Sequence, residues 1–310
     1  MHKLLILSKN AGSCHKLIQA EAFSGLELLP PADKIPKEPQ DCDIILGEPS
    51  LIRPVLDKMP LLRWVQSTFA GVEPLLEQGL RQDYMLTNAR GVFGGLMSEY
   101  VLAYLLLHER RILQRLENQT RRAWDPALTG TLKGKTIGLL GAGSIGAEIA
   151  KTAAFFGMTV YGYTFSSENS PGIHRYFHGK DLFRFAESLD YLVSSLPDTA
   201  HTRKIINRDL FQRLPDHALF INIGRGSTVD ENDLIESLNK GDIAGAVLDV
   251  FDTEPLPPDH PLWQTPNTYI TSHTAAPSFP KDITELFSKN YQLFLSGRDL
   301  EYRVDFKKGY

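Results

Sequence analysis

The sequence predicts an α/β protein with two Rossmann-like, doubly wound domains, each built on a parallel sheet. Short apolar runs alternate with helical segments along the chain, and this alternation is typical of parallel strands joined by right-handed crossovers. The apolar run at 137–140 also leads into glycines at G-x-G-x-x-G spacing, which is the first turn expected of a dinucleotide-binding sheet. A chain of 310 residues is long enough to form two domains.

The first 96 residues are expected to form one of these domains. A helix is predicted over 17–23, and five strands are predicted by apolar runs at 4–7, 26–29, 43–46, 61–65 and 85–88. The fourth strand leads into Ala70, Gly71 and Val72. Ligands of open α/β sheets bind at the carboxyl ends of the strands, so the backbone N–H groups of these residues are candidates for binding. The alternative is a plain turn into a helix over 73–79.

A single long helix is predicted to connect the two domains. It follows a flexible joint with Gly91, Gly94 and Gly95, begins near Ser98 and runs past Arg115. Its first half is apolar nearly all round and its second half is rich in arginine. The helix is therefore expected to be buried first and exposed later.

The stretch at 136–157 carries the most specific local signal. A helix is expected from Ser144, as its cap, to about residue 156, where Gly157 stops it. In the turn before this helix, glycines permit a tight bend, close approach to a pyrophosphate, and close packing of helix on strand. The positive end of the helix dipole favours an anion there. Unless this is only a glycine-rich turn, a dinucleotide lies against Gly141, Ala142, Gly143, Ser144, Ile145 and Gly146.

The alternation continues regularly after this turn. Strands are predicted at 159–163, 189–196, 218–223, 245–250 and 267–271, and helices at 180–187, 208–214 and 231–240. The dinucleotide-binding domain is therefore expected over 97–274. A last helix over about 280–295 is expected to return to the first domain, which would comprise 1–96 and 275–310.

Composition limits the kinds of partner. Hydrophobic residues make up 42% of the chain and charged residues 23%, as in soluble globular proteins. The formal charge of −4 gives no reason to expect a nucleic acid or an anionic membrane as partner. Two cysteines imply no disulfide framework, and no apolar stretch approaches the length of a membrane span. A cytoplasmic location is expected, and no metal site is predicted.

Four polar segments follow predicted strands of the second domain, at 194–202, 221–231, 248–257 and 270–276. Strand ends of one parallel sheet meet at one edge, so Arg225, Asp249, Glu254 and His273 are expected to lie close together. Each residue alone also has a plain interpretation, as a surface arginine, a strand-end carboxylate, a turn cap or an ordinary histidine.

Taken together, these segments resemble the D-isomer-specific 2-hydroxyacid dehydrogenase family over nearly the whole chain. The resemblance rests on GAGSIG at 141–146, LPDHALFINIGRGSTVDENDLIESL at 214–238, GDIAGAVLDVFDTEPLP at 241–257 and SHTAA at 272–276. DHPLWQTPN at 259–267 and the tail at 304–310 are most similar to the glyoxylate/hydroxypyruvate reductase A branch. The resemblance implies NAD(P)H-dependent reduction of a small 2-keto acid in a cleft between the two domains. It also implies a homodimer formed through the cofactor domains.

The resemblance assigns the chemistry to three side chains. His273 matches the proton donor, Glu254 the carboxylate paired with it, and Arg225 the group that binds substrate. A histidine can supply a proton near neutral pH, and an adjacent carboxylate raises its pKa and holds its tautomer. A guanidinium offers a planar fork to a carboxylate.

The remaining contacts are also implied by the resemblance. Backbone N–H groups of Ala70, Gly71 and Val72 would bind the substrate carboxylate, and Asp249 would contact the nicotinamide end. The residues implied to line the cofactor are Leu196, Pro197, Ile223 and Gly224.

One position departs from the usual NAD pattern. An acid about 20 residues after the glycines normally binds the ribose 2′-hydroxyl, but Thr164 stands there, with Ser166 and Ser167 after it. These side chains would not repel a 2′-phosphate and can donate hydrogen bonds to one. The arginine that NADP-specific members of the branch use is also missing. NADP or NAD is therefore expected, with a slight preference for NADP.

Two alternatives to the keto-acid reductase stay open at the level of the sequence. A formate dehydrogenase of the same superfamily is the first. Those enzymes carry glutamine where this chain has Glu254, which argues against this alternative. A non-catalytic, nicotinamide-sensing binding protein of the same fold is the other alternative, and measured turnover would separate it from an enzyme.

Overall fold

The computed structural model describes residues 1–36, 41–165, 168–307 and 309, and it divides into two compact units. The first unit comprises Met1–Phe93 with Ser278–Tyr310, and the second comprises Gly94–Pro277. No helix in the described part of the chain is long and apolar enough to cross a membrane.

The described residues form twelve strands: β1 (His2–Leu7), β2 (Leu26–Leu28), β3 (Ile44–Gly47), β4 (Trp64–Ser67), β5 (Met85–Thr87), β6 (Thr136–Leu140), β7 (Thr159–Tyr163), β8 (Arg175–Phe177), β9 (Tyr191–Ser194), β10 (Leu219–Asn222), β11 (Gly245–Leu248) and β12 (Thr268–Ile270). They also form nine α-helices: α1 (Ala11–Glu21), α2 (Pro49–Ile52), α3 (Gly94–Glu109), α4 (Ile112–Thr120), α5 (Ser144–Phe155), α6 (Leu182–Ala186), α7 (Arg208–Phe211), α8 (Glu231–Lys240) and α9 (Pro280–Leu295).

The first unit contains a parallel sheet with the strand order β2-β1-β3-β4-β5. Every residue of β3 and β4 is buried, as expected for parallel strands covered on both faces. Helix α9 packs on this sheet, where the ring of Phe287 stacks on the indole of Trp64 at 5.2 Å between ring centroids. The C-terminal helix therefore completes the core of the unit that the N-terminal residues begin.

The second unit contains a seven-stranded parallel sheet with the order β12-β11-β10-β9-β6-β7-β8. Side chains alternate between its two faces, so that Phe220 enters one apolar cluster and Ile221 the other. The order reverses between β6 and β9, which start the two halves of the sheet. In doubly wound sheets the ligand crevice lies at such a switch point, outside the carboxyl ends of the strands. The predicted fold class is confirmed.

The predicted long connector is wrong in two respects. The structure has two helices, α3 and α4, separated at Arg111, whose φ of 49° is left-handed. Gly94 and Gly95 lie inside α3 instead of forming a joint before it. Residues 94–120 contain no proline and their glycines lie at the start, so no local signal marks a break at Arg111.

Other differences concern short elements. Strand β8 was not predicted, since three residues at a sheet edge carry almost no periodic signal. Strand β4 lies three residues later than predicted at its start. The predicted helix over 73–79 is a single 3₁₀ turn at Glu73–Leu75. Helix α1 begins at Ala11, six residues before the predicted start.

Candidate active site

In the turn between β6 and α5, each glycine of the motif occupies a different steric environment. Gly141 has a φ of +98°, and a Cβ on Gly146 would lie 2.2 Å from the carbonyl oxygen of Gly141. Around a Cβ on Gly143 there is open space, with nothing within 4 Å. The turn thus leaves backbone exposed at the N-terminus of α5, and this shape fits a pyrophosphate. The N-cap is Gly143, so Ser144 starts the helix and does not cap it as predicted.

The ends of β9 and β10 lie beside this turn. Asn222 pairs with Ser194 in the register of the two strands, and the Ile223 N–H donates to the carbonyl of Ser194. A Cβ on Gly224 would lie 2.6 Å from the carbonyl oxygen of Leu196. The structure therefore brings the predicted cofactor-lining residues of the two strands together, and Pro197 follows directly on this edge.

At the predicted ribose position, Thr164 is the first residue after β7. Its N–H donates to the carbonyl of Phe177, and its carbonyl accepts from Nδ1 of His178 at 2.7 Å. No carboxylate is expected directly after β7. In the structure, however, the chain brings Glu168 back to this corner, where its Oε1 lies 2.7 Å from Nε2 of the same histidine. Ser166 and Ser167, the other predicted ribose contacts, lie outside the described residues.

His273 and Glu254 form the central pair of the candidate site. Nδ1 of His273 lies 2.8 Å from Oε2 of Glu254, and the other carboxylate oxygen accepts from the backbone N–H of Phe251 at 3.0 Å. The hydrogen bond to Glu254 raises the pKa of His273, against partial burial and the nearby charge of Arg225. Partial burial alone would raise the pKa of Glu254, but the hydrogen bonds from His273 and Phe251 hold it below its ordinary value. The pair favours an imidazolium beside a carboxylate.

Asp249 holds the loop that carries His273. The side chain is 1% exposed, and its oxygens accept from the N–H groups of Thr274 at 2.8 Å and Ala275 at 3.0 Å and from Oγ1 of Thr271 at 2.6 Å. Its carbonyl accepts from the His273 N–H at 2.8 Å. These bonds stabilise the left-handed backbone of His273, whose φ is 55°. In the structure Asp249 supports the histidine loop, and its implied contact with the nicotinamide stays a prediction.

Arg225 lies at the end of β10, where the chain turns into the 3₁₀ helix Gly226–Thr228. Its carbonyl accepts from Nδ2 of Asn222 and from Oγ1 of Thr228, and its Nη1 donates to the carbonyl of Gly224 at 2.7 Å. The guanidinium is close enough for its charge to lower the pKa of both His273 and Glu254. The structure thus brings together Arg225, Asp249, Glu254 and His273, as the strand ends predict.

The predicted carboxylate-binding loop, Ala70, Gly71 and Val72, belongs to the first unit. It begins three residues after the end of β4. The carbonyl of Ala70 accepts from Nδ2 of Asn88 at 2.9 Å, and Val72 is buried. The loop is therefore held at the carboxyl edge of the first sheet. Binding of a carboxylate by its N–H groups stays a prediction.

Several residues that shape the site are not among those predicted from the sequence. A Cβ on Gly226 would lie 1.8 Å from the backbone carbon of Phe251, so this glycine lets the Arg225 and Glu254 segments pack together. The second glycine of the GRGS segment was the available signal. No sequence signal pointed to Thr271. Its hydroxyl hydrogen-bonds that of Tyr100 at 2.7 Å, and Tyr100 lies 171 residues away in the chain.

Known proteins are similar to this chain in sequence. Residues 102–275 match the model of the D-isomer specific 2-hydroxyacid dehydrogenase NAD binding domain. Glyoxylate/hydroxypyruvate reductase A of Salmonella paratyphi B is 33% identical over 258 residues, which are 80% of this chain and 82% of that protein.

Two crystal structures are similar over the whole chain. A D-isomer specific 2-hydroxyacid dehydrogenase family protein of Aeromonas salmonicida has a TM-score of 0.92 and 39% identity, covering 98% of this chain and 99% of its own. The NADPH-dependent glyoxylate/hydroxypyruvate reductase of Sinorhizobium meliloti, solved with NADP and sulfate, has a TM-score of 0.88 and 30% identity, covering 100% of both chains.

Proposed function

The chain belongs to the D-isomer-specific 2-hydroxyacid dehydrogenase family, and on that premise we propose that it reduces a small 2-keto acid to the D-2-hydroxy acid. Glyoxylate and hydroxypyruvate are the substrates we propose first, because the similar Salmonella and Sinorhizobium proteins are named for them. The observation that carries the proposal is the 2.8 Å hydrogen bond between His273 and Glu254. It provides a proton donor beside the guanidinium of Arg225.

His273 is proposed to donate the proton to the developing alkoxide. Because Nδ1 is directed at Glu254, Nε2 is the nitrogen left to deliver a proton to a substrate. The neighbouring carboxylate favours the protonated ring, since the hydrogen bond to it raises the pKa of His273. Glu254 thus sets both the orientation and the charge of the donor.

Arg225 is proposed to bind the α-keto carboxylate. A guanidinium can donate two parallel hydrogen bonds to a carboxylate and can also polarise the adjacent carbonyl. Gly226 supports this role, because its close contact with the backbone of Phe251 keeps the arginine segment beside the Glu254 segment.

The cofactor is proposed to be NADP or NAD, with a preference for NADP. The open space at Gly143 and the N-terminus of α5 fit a pyrophosphate. When bound, the reduced nicotinamide supplies the hydride. The preference follows the Sinorhizobium reductase, which was solved with NADP, and the absence of an acid directly after β7.

A second copy of this chain is proposed as the partner, through the second unit. Helix α4 has no buried residue, and Ile112, Leu113 and Leu116 are 41–53% exposed on it. Trp124 and Leu128, which follow the helix, are 95% and 92% exposed. Large apolar side chains concentrated on one segment mark an interaction surface. Sedimentation equilibrium tests this, since Leu116→Glu should yield the monomer mass and Phe155→Glu, on an exposed site of α5, should not.

Turnover is the test of the proposed reaction. The protein is mixed with NADPH or NADH and a panel of 2-keto acids, and loss of the reduced cofactor is followed by absorbance. The product's configuration is then determined by chiral chromatography. Consumption of cofactor with glyoxylate or hydroxypyruvate supports the reductase, whereas cofactor binding without turnover on the whole panel would favour a nicotinamide-sensing protein.

His273→Ala is the matched variant for this assay. We expect kcat to fall by about 10²–10⁴, the usual contribution of a positioned general acid. Reduced cofactor should still quench the protein's fluorescence on binding, because the Gly141–Gly146 turn is unchanged. Near-normal kcat in this variant would remove His273 from the role of proton donor.

A further inference from the structure

The corner where β7 and β8 end carries a charged pair outside the candidate catalytic centre. Tyr163 pairs with Phe177 in the register of these strands, so Thr164 and His178 are the first residues beyond their ends. His178 bridges this corner, with Nδ1 at 2.7 Å from the carbonyl of Thr164 and Nε2 at 2.7 Å from Oε1 of Glu168.

The hydrogen-bond chemistry of this bridge defines the charge of the histidine. A backbone carbonyl can only accept a hydrogen bond, and an ionised carboxylate can only accept one as well. Both ring nitrogens of His178 must therefore donate, which makes the ring an imidazolium. The hydrogen bond to Glu168 and the one to the Thr164 carbonyl raise the pKa of His178, and the charge of Asp181 acts in the same direction.

We propose that His178 is the cationic contact for the 2′-phosphate of NADP(H), and that Glu168 is the counter-ion which the phosphate displaces. The inference rests on the proposed function, since it assumes a nicotinamide dinucleotide on the second sheet. The end of the second strand of a dinucleotide-binding sheet is where the ribose 2′ position lies, and His178 is tied to the first residue after that strand. A phosphate monoester is a stronger acceptor than a carboxylate for an imidazolium, because it carries up to two charges on three oxygens.

Two other side chains near this corner, those of Arg175 and Tyr163, are already engaged with protein groups, which favours His178 for the phosphate contact. Arg175 lies on β8 two residues before its end, where its guanidinium stacks over the ring of Phe177 at 4.5 Å. The hydroxyl of Tyr163 donates to the carbonyl of Gly179 at 2.8 Å. His178 combines a backbone anchor on one nitrogen with an exchangeable partner on the other, and its side chain is 36% exposed.

The test is calorimetric binding of two ligands that differ only in the 2′-phosphate, adenosine 2′,5′-bisphosphate and adenosine 5′-monophosphate. We expect the parent to prefer the bisphosphate, and His178→Gln to lose about tenfold of that preference, as for one charge-assisted hydrogen bond. Glu168→Gln should increase the preference, because it removes the competing carboxylate. His174→Gln is the control, since Nδ1 of His174 accepts from the Val160 N–H near the opposite end of the strands.

A pH series separates this role from a structural one. Above pH about 7 the phosphate is already a dianion, so its own titration no longer changes binding. Affinity for the bisphosphate should fall as pH rises through the pKa of His178, and this fall should be absent in His178→Gln. An unchanged ligand preference in His178→Gln, or an equal loss for both ligands, would overturn the inference.

The outcome is distinguishable from failure of the proposed reaction. If His178→Gln keeps the parent's ligand preference while the parent turns over glyoxylate, this inference alone fails. If the parent binds neither nucleotide and consumes neither reduced cofactor with any keto acid, the inference and the proposed function both fail.

Discussion

Replacing Glu254 by glutamine tests the coupling between this residue and His273 most directly. The substitution keeps the shape of the side chain and a hydrogen-bond acceptor for Nδ1 of His273, 2.8 Å away in the parent. It removes the negative charge that stabilises the imidazolium. A hydrogen bond to a charged partner contributes ~1.5–3 kcal/mol and a neutral one ~0.5–1.5 kcal/mol.

The exposure of the pair decides where in this range the effect falls. The side chains of His273 and Glu254 are 52% and 35% exposed, so water screens their interaction and we take a difference of ~1 kcal/mol. This corresponds to a kcat/KM for the keto acid that is lower by about fivefold at most, a loss reached in full only at pH above the pKa of His273.

The direction of the pH dependence follows from the pKa shift. Reduction uses the protonated ring, so kcat/KM falls as pH rises through the pKa of His273. Because Glu254 raises that pKa, Glu254→Gln should move the fall to lower pH. The positive charge of Arg225, which lowers the same pKa, remains in the variant.

The assay is the initial rate at low glyoxylate over a pH series that brackets the fall, for parent and variant. Glu231→Gln is the control, because Oε2 of Glu231 lies 3.3 Å from Nε2 of His260 in a second Glu–His pair of the same unit. Overlaying pH profiles for the parent and Glu254→Gln would refute the coupling.

Three further variants probe substrate, backbone and cofactor. Arg225→Lys should raise KM for the keto acid and lower kcat together, because an ammonium cannot donate the paired bonds of a guanidinium; an unchanged kcat/KM would place Arg225 away from the substrate. Gly146→Ala should lower the free energy of unfolding by ~1–3 kcal/mol, since its Cβ would meet the Gly141 carbonyl oxygen at 2.2 Å. Urea unfolding measures this against Gly95→Ala, whose Cβ meets nothing within 4 Å, and equal midpoints would contradict the steric argument. Thr164→Asp should shift the ratio of kcat/KM for NADPH and NADH toward NADH, by repelling a 2′-phosphate; an unmoved ratio would mean that the ribose lies elsewhere.

Predicted and observed elements differ where contacts between residues far apart in the chain decide the structure. Strand β4 contains Gln66 and Ser67, which a search for apolar runs excludes. Gln66 is fully buried. Its side chain is satisfied there because Oε1 accepts from Oγ1 of Thr87 at 2.7 Å and from Nδ2 of Asn290 at 3.0 Å. Asn290 lies 224 residues away on α9, so no local pattern could show that a polar residue is satisfied there.

The sequence by itself determined the local features of this protein. The left-handed turns at Gly141 and Gly157, the alternation of buried strands with helices, and the span of α5 follow from sterics and periodicity among residues close in the chain. The tertiary structure alone decided the distances and hydrogen bonds between side chains from different segments. Glu254 reaches His273 across 19 residues, Asp249 holds Thr274 and Ala275 across 25 and 26, and His178 bridges Thr164 and Glu168. The register of the parallel strands and the path of each loop set these distances, and both depend on packing of the whole sheet.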